Sequence, residues 1–231
     1  MTPESPAAAA KYVPSPIQGE VQRPAREPAA AQPDRSRLMS VSSVVDEVRN
    51  HVANLSAVPA QNLPEWLQSL DVPPGWQLAQ IGTDAVPLGR VVLSGHKPEG
   101  GWEGCETLSL FGFNGTLPEN VLTESADRTL RDLDADNVNS ISLTIAADSS
   151  AAAVRSSGYF TTSGRRVWAQ YSTYVGRNEG GEEGFLIEHA IYIDAAQRPL
   201  LRHDVEDMGD AVHSAFLGRL VTVDPTTPNR I

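Results

Sequence analysis

Cysteine is all but missing from this chain. Cys105 stands alone among 231 residues, so no disulfide can form within it and no cysteine-based metal site can be assembled. Long apolar runs are missing as well. Nothing approaches the ~18 consecutive apolar residues that a membrane-crossing helix requires. The alanines at 7–10 are too few, and too closely bracketed by prolines, to form the apolar heart of a secretion signal. The chain as given therefore reads as cytoplasmic and without a transmembrane segment; a natural leader ahead of it would place it at the cell envelope instead. Positive charge is outweighed: 18 Lys and Arg against 29 Asp and Glu leave a formal net charge of −11. Residues 1–36 balance Lys11, Arg23, Arg26 and Arg35 against Glu4, Glu20, Glu27 and Asp34, so the whole deficit belongs to the remainder. A negative body repels phosphate backbones and anionic lipid surfaces. That argues against nucleic acid and leaves a basic patch on another protein as an acceptable partner.

The signatures of chemistry are absent too. No Gly-x-Ser-x-Gly elbow occurs. Gly100, Gly101 and Gly104 around Trp102 lack the Lys-Ser/Thr ending and the following helix of a phosphate loop, and read as turn glycines. His203, Asp204, Glu206 and Asp207 cluster at a helix start, where carboxylates are favoured by capping and by the helix dipole. Glu188 and His189 are neighbours on a strand and must point to opposite faces. His189 shares its face with Ile187, Ile191 and Ile193 and reads as a core histidine. Cys105 has no basic neighbour to activate it and reads as a small buried residue. No catalytic residue, metal ligand or cofactor is expected. A hydrolase pairing of Ser or Thr with His189 or His96 is the least favoured alternative.

What is present begins with a Pro- and Ala-rich segment, residues 1–36, too poor in apolar surface to offset the entropy of ordering it; it is expected to be a disordered tail. Residues 37–72 are expected to be a helical extension. Val41, Val44, Val45, Val48, Val52 and Leu55 fall at helical spacing, and a shorter helix follows at 64–70. Residues 73–223 form the main domain, and 224–231 a C-terminal tail. Strands are expected at 76–81, 90–94, 106–113, 139–146, 153–162, 166–175 and 185–194. Ser163-Gly164 makes a tight hairpin turn between two of them. A helix runs from Glu119 to Asp134, with Thr116 and Glu119 reciprocally capping its first turn. A last helix starts near Asp204, a good N-cap, and turns Val205, Met208, Val212, Ala215 and Phe216 inward. Short connections between strands imply antiparallel pairing. The fold class is therefore α+β, an antiparallel sheet flanked by helices with an N-terminal helical extension.

Aromatic side chains give the functional lead. Tyr159, Phe160, Trp168, Tyr171, Tyr174 and Tyr192 fall on three adjacent strands. Tyr159 and Phe160 must face opposite sides, as must Tyr171 and Tyr174. One part of the set is core. The other part, from Tyr159, Trp168, Tyr171, Tyr174 and Tyr192, is a candidate binding patch or pocket lining edged by Arg155 and Arg166.

The stretch from Trp76 to Leu220 resembles the LpqN-type family of mycobacterial lipoproteins, similar in fold to PsbP-like proteins. The resemblance rests on the strand and capped helix beginning at Glu106 (ETLSLFGFNGTLPEN), on the hairpin beginning at Ser157 (SGYFTTSGRRVWAQY), and on the order of the last strand and helix. It implies a PsbP-like sandwich with a six- or seven-stranded antiparallel sheet, and a binding role without shared catalytic residues. The family's leader and lipidated cysteine are absent here, and residues 41–70 look like an addition. The function expected is that of a non-enzymatic protein-binding or accessory protein. The alternative is a carrier for a hydrophobic, lipid-like molecule seated between sheet and helix, which calls for an apolar cavity of about 300 Å³ or more.

Overall fold

The computed structural model describes residues 43–79, 88–95, 101–145, 151–178 and 182–221. The expected tails at 1–36 and 224–231, and Val41, Ile81, His96 and Ala146, lie outside the described residues.

Three long strands build the middle of the molecule: β6 (Ala152–Thr162), β7 (Arg165–Arg177) and β8 (Glu183–Asp194). β6 and β7 are joined by Ser163 and Gly164, at φ 49 and 74. Both residues are left-handed, as a two-residue turn that matches the twist of its strands requires. β8 then pairs along its length with β7 on one side and with β4 (Gly104–Asn114) on the other. β5 (Asp136–Ser142) closes one edge beside β6. On the other side, β3 (Arg90–Ser94) follows the first half of β4 and β2 (Trp76–Leu78) lies outside it. The second half of the same β4 edge is taken by β1 (Ala53–Ala57). Among the described residues the sheet has eight strands, in the order β2-β3-β4-β8-β7-β6-β5 with β1 on β4, and every pairing is antiparallel.

Helices cover both faces. On one lies α5 (Arg202–Val221), with Val205, Met208, Val212 and Phe216 buried, joined by the short α2 (Glu65–Gln68) through Leu63 and Leu67. On the other lie α1 (Val44–Arg49), α3 (Glu119–Ser125) and α4 (Arg128–Asp132). The expected α+β sandwich is the observed fold.

Four local expectations are corrected. The helix expected to run on to Leu55 ends at Arg49, with Asn50 as its C-cap. Asn54 takes φ 57, which a helix does not tolerate, and Ala53–Ala57 is a strand. Val52 and Leu55 still pack beside Val44 and Val48, so one run of apolar spacing serves two elements. This added strand brings the sheet to eight, beyond the six or seven that the resemblance implied. The helix expected over 119–134 is broken into α3 and α4, and Ser125 Oγ donates back to the Val121 carbonyl at 2.5 Å, a bond that bends helices. The reciprocal cap is not made at Thr116 and Glu119, where Pro118 is the N-cap without a side-chain bond. It is made at Ser43 and Asp46. Asp204 lies inside the first turn of α5, and its carboxylate accepts from Trp76 Nε1 at 2.9 Å.

Candidate functional site

The sheet separates the aromatic residues singled out from the sequence. On the α5 face, Tyr174 is fully buried against Phe216, with ring centroids 5.1 Å apart. Trp168 is buried beneath the Arg198 guanidinium, 4.1 Å from its ring centroid. Tyr159, half-buried, lies 5.1 Å from the guanidinium of Arg166, which also pairs with Asp136 at 2.7 Å. Arg155 is half-buried; its Nε donates to Ser172 Oγ at 3.0 Å and its Nη2 to the Gly209 carbonyl at 3.2 Å. Tyr171 and Tyr192 stand on the opposite face, edge to face at 5.8 Å. The set thus forms no single patch: Tyr171 and Tyr192 are brought together, and the others belong to the packing beneath α5 and to the hairpin end.

The core histidine expected at His189 is sealed in the interior, and the buried carboxylate beside it, Glu106, was not singled out from the sequence. Glu106 and His189 are 1% and 0% exposed. His189 Nε2 donates to Glu106 Oε1 at 3.0 Å, and Arg90 Nε donates to Glu106 Oε2 at 3.0 Å. Arg90 also reaches the carbonyls of Leu70 and Asp71, tying the chain after α2 to the sheet. Burial alone would raise the Glu106 carboxyl, but His189 and Arg90 outweigh it and hold the group below its ordinary range. Ser172 lies directly across from His189, so serine, histidine and glutamate share one neighbourhood. Ser172 is 0% exposed, its hydroxyl is taken by Arg155, and His189 Nδ1 has no hydrogen-bond partner. A nucleophile needs both a base in contact and a path for its substrate. This cluster has neither, and it acts as a staple of the core. Parity could have found Glu106, which shares its side of β4 with Leu108 and Leu110.

Several places among the described residues are open to solvent, and two bear on function. The first is a groove of about 760 Å³ at the end of the sheet, between α2 and α5. Val58, Trp66, Leu110, Phe185 and Ala215 line it, with Arg219 and Asn178 at its polar margin. Trp66 is half-buried, edge-on to Phe185 at 6.4 Å. Gly218 is exposed there, and a Cβ on it would meet nothing within 4 Å. The second is a partly exposed polar strip on the opposite face, around Glu188. Ser109 and Thr173, its partners across β4 and β7, are sealed at 4% and 2% exposure, yet Glu188, Tyr192, Cys105 and Thr107 all keep some surface open. Burial pushes the Glu188 carboxyl up to about 7, helped by repulsion from Asp46. It pushes the Cys105 thiol up to about 12, so this thiol stays protonated and unreactive. Among the described residues there is no group of three or more His, Cys, Asp or Glu placed to hold a metal ion, and no helix long and apolar enough to cross a membrane.

The sequence matches no protein-family model and no curated protein. The structure is similar to that of LpqN of Mycobacterium tuberculosis, a protein involved in cell envelope biogenesis, with a TM-score of 0.51 and 14% identity over 77% of this chain and 95% of that one. It also aligns with human STARD10, at a TM-score of 0.21 and 8% identity over 69% of this chain and 81% of that one. The LpqN likeness agrees in fold with the family that the sequence resembles.

Proposed function

We propose that this chain is a non-catalytic binding protein that seats a hydrophobic small molecule in the groove between α2 and α5. One observation carries the reading. The groove offers about 760 Å³ between the sheet and a helical layer, walled by Val58, Trp66, Leu110 and Phe185. Small-molecule sites occupy roughly 300–1,000 Å³, with mostly apolar walls and a few polar groups that orient the ligand. Asn178 and Arg219 would do the orienting here, which suits a ligand with an apolar body and a polar or anionic end. LpqN is involved in cell envelope biogenesis, and an apolar ligand would suit this chain to the same setting. The absence of catalysis is supported by the sealing of Ser172, His189 and Glu106 within the core.

The accessory role toward another protein, which the sequence put first, is here the second reading. It is favoured by the openness of the same groove and by Trp66 with Arg219 at its margin, since Trp and Arg are the residue types that dominate protein-binding hot spots.

Tryptophan quenching by dibromostearate distinguishes the two. Saturable quenching is expected in the full chain, and it should vanish in Gly218→Phe, which fills the groove from an open position. Absence of saturable quenching by a folded protein would refute the small-molecule reading. A stoichiometric polypeptide retained by the native protein and lost in Gly218→Phe would then establish the second.

A further inference from the structure

Glycine inside a strand or a helix costs stability relative to alanine, because the unfolded chain has more freedom to lose. Among the described residues nearly every glycine has a reason within the protein itself. It holds left-handed backbone, or a Cβ on it would stand 3.2 Å or less from a neighbouring atom. On β4, a Cβ at Gly104 would come within 2.4 Å of the Trp76 ring. On α5, a Cβ at Gly209 would come within 3.0 Å of the Arg155 guanidinium.

Gly112 on β4 and Gly218 on α5 have no such reason. Neither takes left-handed backbone, and a Cβ on either would meet nothing within 4 Å. Both line the same groove between α2 and α5. A strand and a helix about a hundred residues apart in sequence thus leave their main chain bare around one space, and no protein atom fills it. Glycine within a strand often marks a site where a ligand or another backbone comes close.

Shape decides what such a space suits. A linear acyl chain is thin and flexible and threads between side chains, so single methyl groups at 112 and 218 would not exclude it. A broad, rigid plate cannot bend around a methyl group and needs both the strand and the helix smooth. Phe185 pairs with Gly112 across β4 and β8, and Trp66 stands edge-on to it at 6.4 Å. These rings continue the bare strand as flat apolar surface.

We propose that Gly112 and Gly218 are specificity-determining contacts that keep the groove wide for a molecule with a flat, fused-ring apolar body. The assignment rests on the groove being a small-molecule site.

The experiment compares two probes on the full chain and on its Gly112→Ala and Gly218→Ala variants. Dehydroergosterol is the fused-ring probe, read by energy transfer from tryptophan; dibromostearate is the linear one, read by quenching. Saturable binding of dehydroergosterol is expected in the unaltered chain, weaker by about tenfold or more in each variant. Dibromostearate should bind all three proteins alike, since alanine adds one methyl group where phenylalanine at 218 would fill the groove. Without ligand, both variants should unfold at higher urea than the unaltered chain, because alanine is favoured at both positions when the groove is empty. Binding lost while stability is gained separates a ligand contact from a structural glycine.

A lowered urea midpoint in either variant would give that glycine a reason within the protein and overturn the assignment. So would dehydroergosterol binding that survives in both variants, equal loss of both probes, or a native chain that takes up dibromostearate alone. No saturable binding of either probe to the folded native chain would refute the groove reading itself, and this assignment with it.

Discussion

Glu106 and His189 lie 83 residues apart in sequence and meet at 3.0 Å on adjacent strands, with Arg90 closing on the other carboxylate oxygen. A buried charge is tolerated only when its partners are in place. Glu106→Gln keeps the shape and removes the charge, leaving the Arg90 guanidinium without its anion. The expected loss is about 3–5 kcal/mol in urea unfolding at pH 7. The pH dependence has a definite sign. The folded carboxyl sits below its ordinary value of 4.5, so its contribution is complete above that pH and disappears as pH falls through the folded value. The acid limb of stability below about pH 4.5 should therefore be shallower in the variant. An unaltered acid limb would show that Glu106 does not gain its charge from these partners.

Glu188 runs the opposite way. Its folded carboxyl is raised to about 7, so the fold favours the neutral acid. That advantage is complete below the unfolded value and is lost as pH rises through 7. Glu188→Gln should match the native chain near pH 4 and exceed it at pH 8, by up to about 3 kcal/mol. Urea midpoints across pH 4–8 measure the divergence. Parallel curves would mean that the carboxylate is well solvated.

Parity along the strands was legible in the sequence because it depends only on the alternation of side chains. The division of Ile187, His189, Ile191 and Ile193 from Glu188 and Tyr192, and the opposed placement of Tyr171 and Tyr174, hold in the structure. The Ser163-Gly164 hairpin was legible because its chemistry is local. Three-dimensional partners were not. Nothing near Glu106 in sequence announces Arg90 or His189, and Trp66 meets Phe185 only once β4 and β8 are paired. The stretch from Val52 to Leu55 failed for a different reason: its apolar residues fit a helix by spacing and fit the fold as a turn and a strand.

That stretch belongs to a segment that looked like an extension and packs as part of the core. Val48 and Leu67 are 0% exposed and lie on opposite faces of the sheet. Leu67→Ala should cost about 2–5 kcal/mol, measured as a shift in the urea midpoint with an unchanged slope. A loss under about 0.5 kcal/mol, the size of an ordinary surface change, would make the segment an appendage.

The hairpin turn offers a gain instead of a loss. Ser163 and Gly164 both hold left-handed backbone, at φ 49 and 74. Glycine accepts that region freely, while serine is strained there. Asparagine tolerates it better, and Asn-Gly is the pair most favoured for a two-residue hairpin turn. Ser163→Asn is expected to raise stability by roughly 0.5 kcal/mol, whereas Gly164→Ala should lower it by about 1 kcal/mol through the misplaced Cβ. No atom lies within 4 Å of a Cβ at Gly164, so a loss there would be conformational and not steric. Urea midpoints that move in opposite directions for the two variants would establish the turn geometry. Equal and negligible shifts would place the hairpin's register elsewhere, and with it the pairing that sets Tyr171 and Trp168 on opposite faces.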